Sequence, residues 1–424
     1  MSVLLDHVQR WQEECRRAGA LLPERLMEEM EPAFRAAGYR EGRGGGADSQ
    51  EKILLFNMNE LGDSIIYSAF YRELRRAYPR AFITLLTKPR VYPMVELCPY
   101  FNRVLTVDIS YADPPERNLP KILRLCRETL WKEHFTMAIC SHWAEDKRSM
   151  NLLGYLSGAQ ERLGVSDMSY LAYVPDWQGE VGDDWECLLT HPIVTPAVLT
   201  HEAARALYAV ADLGFEVQDD RLEVWFDERD AFLARQLLQG VPEHAVGIAI
   251  GIGAGSASRK YPVAKYVEAM RQLLAKGSFY FVVIGGSSER ADGAWIEQQM
   301  PQGTVWNLAG KTEVRTTLAV LSRLQAYLGN DTGFMHASCV LGLKIVEVSK
   351  EPVEKTPLLP GLFSAVTRFA PWRAQAIVIQ PEHALDDCRD NLHYGGCCVE
   401  SGPHCITQIP PEELACAVLR LLEK

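Results

Sequence analysis

From Lys52 onward, short apolar runs alternate with stretches of helical spacing, and at Val246 the alternation starts again. KILLFNM, AFITLLT, RVLTVD and MAICSH read as strands, with helices over Asp63–Arg76 and around Leu152–Leu156 among them. VGIAIG, SFYFVVIGG, AYLGN and KIVEVS repeat the pattern in the second half. Strands separated by helices are expected to lie parallel, with crossover helices on the faces of the sheet. The expectation is an α/β chain with two such domains in tandem, residues 51–240 and 241–380, whose strand ends border a cleft. Ahead of them, residues 1–45 carry Leu4, Leu5, Val8 and Trp11, then Leu21, Leu22, Leu26 and Met30, at helical intervals, before EGRGGGADSQ breaks the pattern. This predicts an appended helical pair and a linker, docked on the body of the protein or on another subunit. Residues 381–424 form a cysteine-rich tail and a closing helix, PPEELACAVLRLLEK, with prolines at its first turn.

The restart carries the strongest chemical hint. AVGIAIGIGAGSASRK, Ala245 to Lys260, is a strand and a small-residue turn, and Val263, Val267, Met270 and Leu274 then mark a helix. Such a turn presents backbone N–H groups at a helix N-terminus, where the dipole adds partial positive charge; Arg259 and Lys260 add full charges. It suits a phosphate group, although an ordinary connection whose glycines only permit the turn explains the same residues. The dinucleotide fingerprint fails, because Ser256 stands where the third glycine belongs. A net charge of −11 and a pI near 5.5 argue against general affinity for nucleic acid or anionic membrane. No run approaches eighteen apolar residues, and MSVLLDHVQRWQEECRR is charged where a signal peptide needs its apolar core, so a cytoplasmic location is expected.

Two further loops add chemistry. NMNELGDS puts Gly62 and Asp63 at the carboxyl end of the first strand, where open α/β sheets bind ligands; a helix N-cap is the other role for Asp63. In GNDTGFMHASCVLG, a helix opens at Thr332 or Gly333, so that Asp331, Thr332 and Gly333 face an anion and His336 follows one turn later. A capped helix with a partly buried histidine fits the same residues. The single Asp-Thr-Gly triplet does not make an aspartic protease, which needs two carboxylates sharing a proton.

Together, the Gly-Asp of NELGDSIIYSAFYRELRRAYP, the HEAAR stretch, Lys-Tyr-Pro at 260 to 262 and GNDTGFMHASCVLG resemble glycosyltransferase family nine, the ADP-heptose:lipopolysaccharide heptosyltransferases. The resemblance spans about residues 52 to 424 and leaves the first forty-five without a counterpart. It implies a GT-B type fold, with the acceptor on the first domain and an ADP-sugar donor on the second, and inverting transfer without a catalytic metal. By the same resemblance Asp63 is the general base, and Lys260 with Ser256 meets the donor phosphates. Asp331, Thr332, Gly333 and His336 hold the donor, and Glu289 reads a ribose or sugar hydroxyl. Arg205 and Arg162 are candidate contacts for an anionic acceptor, with structural ion pairs as the alternative. The acceptor would be a glycolipid, glycan or protein hydroxyl, and the enzyme would be cytoplasmic or peripheral at the inner membrane. Homo-oligomerisation stays open. A nucleotide-dependent oxidoreductase or epimerase, and a non-catalytic scaffold, are the competing readings.

Most of the eleven cysteines stand singly in apolar runs, but Cys388, Cys397, Cys398 and Cys405 cluster with two histidines. Their spacing lacks paired C-x2-C knuckles, and a structural iron or zinc, free thiols and a disulfide all remain open.

Overall fold

In the computed structural model, which describes residues 2–39, 50–109, 113–140, 147–169, 184–356, 364–386 and 404–423, the described strands form two six-stranded sheets. The first holds β1 (Lys52–Asn57), β2 (Phe82–Thr87), β3 (Arg103–Thr106), β4 (Met137–Cys140), β5 (Glu161–Val165) and β6 (His191–Ile193), in the order β3-β2-β1-β4-β5-β6. The second holds β7 (Val246–Gly251), β8 (Phe279–Ile284), β9 (Val305–Asn307), β10 (Ala326–Asn330), β11 (Lys344–Val348) and β12 (Ala376–Ile379), in the order β12-β11-β10-β7-β8-β9. Every ladder is parallel. Both sheets therefore have doubly wound order, reversing direction between β1 and β4 and between β7 and β10. Ligands bind outside the strand carboxyl ends at such switch points. The central strands are buried on both faces, which is why they read as unbroken apolar runs.

The chain divides into two compact units, Met1–Glu60, Phe70–Leu199 and Arg205–Asp219 in one, Leu61–Ala69, Thr200–Ala204 and Asp220–Lys424 in the other. Two boundaries differ from the sequence pattern. Residues 220–240 belong with the second sheet, and so does the short helix Leu61–Ile66 that follows β1.

The N-terminal helices are part of the first unit rather than an appendage. Helix α1 (Ser2–Ala18) turns Leu4, Val8, Trp11 and Cys15 inward, and α2 (Pro23–Ala36) adds Leu26, Met30, Ala33 and Phe34. These side chains share one core with Leu119, Ile122, Trp131, Leu153 and Tyr155 of the layer over the first sheet. The Trp11 indole closes the turn between the two helices by donating to the Leu22 carbonyl at 2.8 Å, and the Tyr39 hydroxyl ties the pair to the body by donating to the Trp131 carbonyl. At the other end, Ile406, Ile409, Leu414, Val418 and Leu421 join the second core, so the closing helix Pro411–Leu422 seals that sheet.

Candidate active site

The loops after β7 and β10 are held together by Asn330, the last residue of β10. Its amide nitrogen donates to the carbonyls of Ile252 (3.2 Å) and Gly253 (2.9 Å), and its amide oxygen accepts from the Tyr261 N–H (3.1 Å) and the Tyr266 hydroxyl (2.9 Å). One fully buried amide thus uses four hydrogen bonds to set the glycine-rich loop against the Asp331–Gly333 turn. The strands approach closely here: a methyl group on Gly251 would sit 2.0 Å from the Tyr327 hydroxyl, which donates to the Asn330 carbonyl. Tyr261 reaches the other way, donating to the Ile409 carbonyl at 2.9 Å, so the Lys-Tyr-Pro turn also anchors the tail.

On this frame two cations face three carboxylates. Lys260 Nζ lies 2.7 Å from Asp292 Oδ2 and 3.7 Å from Glu289 Oε1, and Arg259 Nη1 lies 3.9 Å from Asp331 Oδ2. Glu289 is buried and committed locally, accepting from the Gly286 N–H at 2.9 Å and the Ser288 hydroxyl at 2.8 Å. Ser256 is exposed ahead of the single helical turn Ala257–Arg259, its hydroxyl 3.0 Å from that of Ser258. The helix Gly333–Val340 begins at Thr332 without a side-chain cap, which leaves its first N–H groups for an anion.

His336 sits beneath this turn, 4% exposed, with Nε2 3.6 Å from Asp331 Oδ1. Burial pushes the imidazole below its ordinary value, with the Asp331 charge opposing, so it is neutral at physiological pH. Its Nδ1 is buried with no partner among the described residues. Also buried is Glu347 on β11, opposite Gly329 of β10 and 3% exposed. Desolvation, then the charges of Asp331 and Glu351, hold its carboxyl well above the usual carboxylate range.

The helix Leu61–Ile66 carries Asp63 in its first turn and meets the Gly333–Val340 helix backbone to backbone. A Cβ on Gly62 would lie 3.2 Å from both Gly333 Cα and His336 Cδ2, and one on Gly333 would lie 3.0 Å from Gly62 N. The first-strand aspartate is therefore on an element seated directly against the Asp-Thr-Gly turn.

Other sequence candidates lie elsewhere. Arg162, expected at an acceptor, is 5% exposed within β5. Its Nε donates to the Leu188 carbonyl at 2.6 Å and its Nη1 to Ala159 and Gln160 at 2.9 and 3.0 Å, so the guanidinium ties sheet to loop. Arg205 is buried too and donates from Nε to the Leu199 carbonyl at 2.7 Å. The bidentate geometry that suggested an anionic acceptor is spent on backbone at Arg162 and partly so at Arg205. Cys388, Cys397 and Cys398 lie outside the described residues; Cys405 is buried beside Ala384. Among the described residues no group of three or more His, Cys, Asp or Glu is placed to hold a metal ion. Asn330, Asp292 and Glu347 are the site residues that motif reading missed. For Asn330 and Glu347 the sequence signal is a polar residue closing or interrupting an apolar strand; Asp292, in a helix first turn, has none of that kind.

A sequence model of glycosyltransferase family 9 (heptosyltransferase) matches residues 188–349. Lipopolysaccharide heptosyltransferase 2 of Escherichia coli strain K12 is 21% identical over 299 residues, covering 70% of this chain and 81% of its own. The glycosyl transferase family 9 structure from Veillonella parvula superposes with a TM-score of 0.66 at 19% identity, over 88% of this chain and 98% of that one. The E. coli ADP-heptose lps heptosyltransferase II structure gives 0.61, also at 19% identity and with the same coverage. With two doubly wound sheets and a family-model match over residues 188–349, the chain is similar to the glycosyltransferase family 9 heptosyltransferases, and these likenesses support a glycosyltransferase.

Proposed function

We propose that the protein transfers a heptose, or a closely similar sugar, from an ADP-linked donor to an acceptor hydroxyl with inversion at the anomeric carbon, without a catalytic divalent cation. The names of its relatives support the heptose and the lipopolysaccharide-type acceptor. One observation carries the reading: Lys260 and the Gly333 helix start converge at the carboxyl ends of β7 and β10, and the Asp63 helix is seated on the latter. In the proposed reaction the acceptor oxygen bonds to the anomeric carbon as the bond from that carbon to the β-phosphate oxygen breaks. The bonding pair leaves with the diphosphate, and the acceptor proton passes to the Asp63 carboxylate. Lys260, Ser256 and the N–H groups at Gly333 face the charge that develops on the phosphate, and preorganised donors aimed there lower the barrier. Asp331, Thr332 and neutral His336 bind the sugar-phosphate portion, and Glu289 accepts from a ribose or sugar hydroxyl. No helix among the described residues is long and apolar enough to cross a membrane, so an acceptor glycolipid would be met at the membrane surface.

The test is transfer from ADP-heptose to a truncated lipooligosaccharide, followed as ADP release and product mass. Asp63→Ala should retain nucleotide binding and lose about a hundredfold to ten-thousandfold in turnover. Lys260→Ala should weaken donor binding and turnover together, by about a hundredfold in turnover. Near-normal turnover by Asp63→Ala would remove the assigned base.

A further inference from the structure

The lysine proposed to meet the phosphates is already held by a carboxylate that no motif requires. Asp292 stands in the first turn of the helix Arg290–Gln299, and its Oδ2 lies 2.7 Å from Lys260 Nζ, a full ångström closer than Glu289. Each Glu289 oxygen already accepts one local hydrogen bond, from the Gly286 N–H and the Ser288 hydroxyl, and among the described residues Asp292 makes no other ion pair. Lys260 and Asp292 are 34% and 33% exposed, so either can exchange its partner without unfolding anything.

We propose that Asp292 is a positioning residue that competes with the nucleoside diphosphate for Lys260 and thereby speeds release of the product. The inference rests on the reading that Lys260 meets the donor's diphosphate. Transfer of the sugar leaves an additional negative charge on the terminal phosphate, so the product draws the ammonium more strongly than the donor does. A fixed carboxylate within hydrogen-bonding reach takes the ammonium back as the phosphate departs. Product release sets the turnover of many transfer enzymes, which gives such a competitor a kinetic purpose. Half-exposed ion pairs of this kind are worth roughly two- to fivefold in an equilibrium.

The test is titration calorimetry on the full chain with ADP, UDP and GDP, using wild type, Lys260→Ala, Asp292→Asn and the double variant, with stopped-flow dissociation rates for the diphosphate that binds. Asp292→Asn should bind it roughly two- to fivefold more tightly through slower dissociation, and the gain should vanish in the Lys260→Ala background. Unchanged or weaker binding by Asp292→Asn, or a gain that persists without Lys260, overturns the inference while leaving the proposed function intact. If Lys260→Ala binds as wild type does, or if none of the three diphosphates binds wild type, the reading of Lys260 itself fails and the inference with it. Asp292→Ser, which keeps a helix-starting hydroxyl, replaces the asparagine variant if thermal melts show that the latter is misfolded.

Discussion

At Glu347 the second sheet buries a carboxyl group whose Oε2 has no hydrogen-bond partner among the described residues. The folded state raises its pKa above the ordinary 4.5, so the native protein holds a proton that the unfolded chain releases. The contribution to stability is complete below pH 4.5 and declines as pH rises toward the elevated value, by about 1.4 kcal/mol per pH unit. Glu347→Gln cannot ionise and escapes this decline. Its melting temperature relative to wild type should show little difference near pH 4 and an advantage that grows as pH rises above the ordinary carboxylate range; a flat difference would mean that the carboxyl is ionised in the fold. Asn330 makes the opposite case. Asn330→Ala strands two carbonyls, an N–H and a tyrosine hydroxyl, each buried polar group costing about 1–3 kcal/mol when unsatisfied. Denaturant melts should show a loss of several kcal/mol, with diphosphate affinity falling alongside because the two loops lose their common tie.

Among the elements, α1 and α2 do more than the amphipathic pattern alone implies. Trp11→Ala should destabilise the protein by about 3–5 kcal/mol, read from urea unfolding, because the indole is fully buried and its N–H closes the turn into α2. Expression without residues 1–39 should give aggregated protein, since the face under Trp131, Leu153 and Tyr155 would be uncovered. Which elements were legible follows from the same physics. β1, β2, β7, β8 and β10 announce themselves because both faces are buried and the runs are largely apolar, and β11 does so although Glu347 interrupts it. β5 was missed because Arg162 interrupts its run, and β6 because it is three residues containing a proline. The Lys260 and Asp331 loops were legible because glycines and charges sit at strand ends. Asp292, Asn330 and Glu347 were not, because their partners arrive from strands and loops tens of residues away. Chemical type alone left Arg162 between an acceptor contact and a structural role, and the backbone carbonyls it meets within the fold show it making structural contacts.

At the scale of the molecule, each unit has a separate core, one reaching to α1 and α2, the other to the closing helix. Hydrogen exchange on the full chain with ADP should therefore slow amides in the loops after β7 and β10 and in Leu61–Ala69, and leave α1 and α2 unchanged. Protection confined to the first sheet would contradict the donor assignment. The division of the chain has a practical corollary for recombination. Since Leu61–Ala69 and Thr200–Ala204 belong with Asp220–Lys424, no single cut separates the units. A hybrid that borrows the second unit from a homologue must import three segments, and a gene spliced only at position 220 would join mismatched pieces.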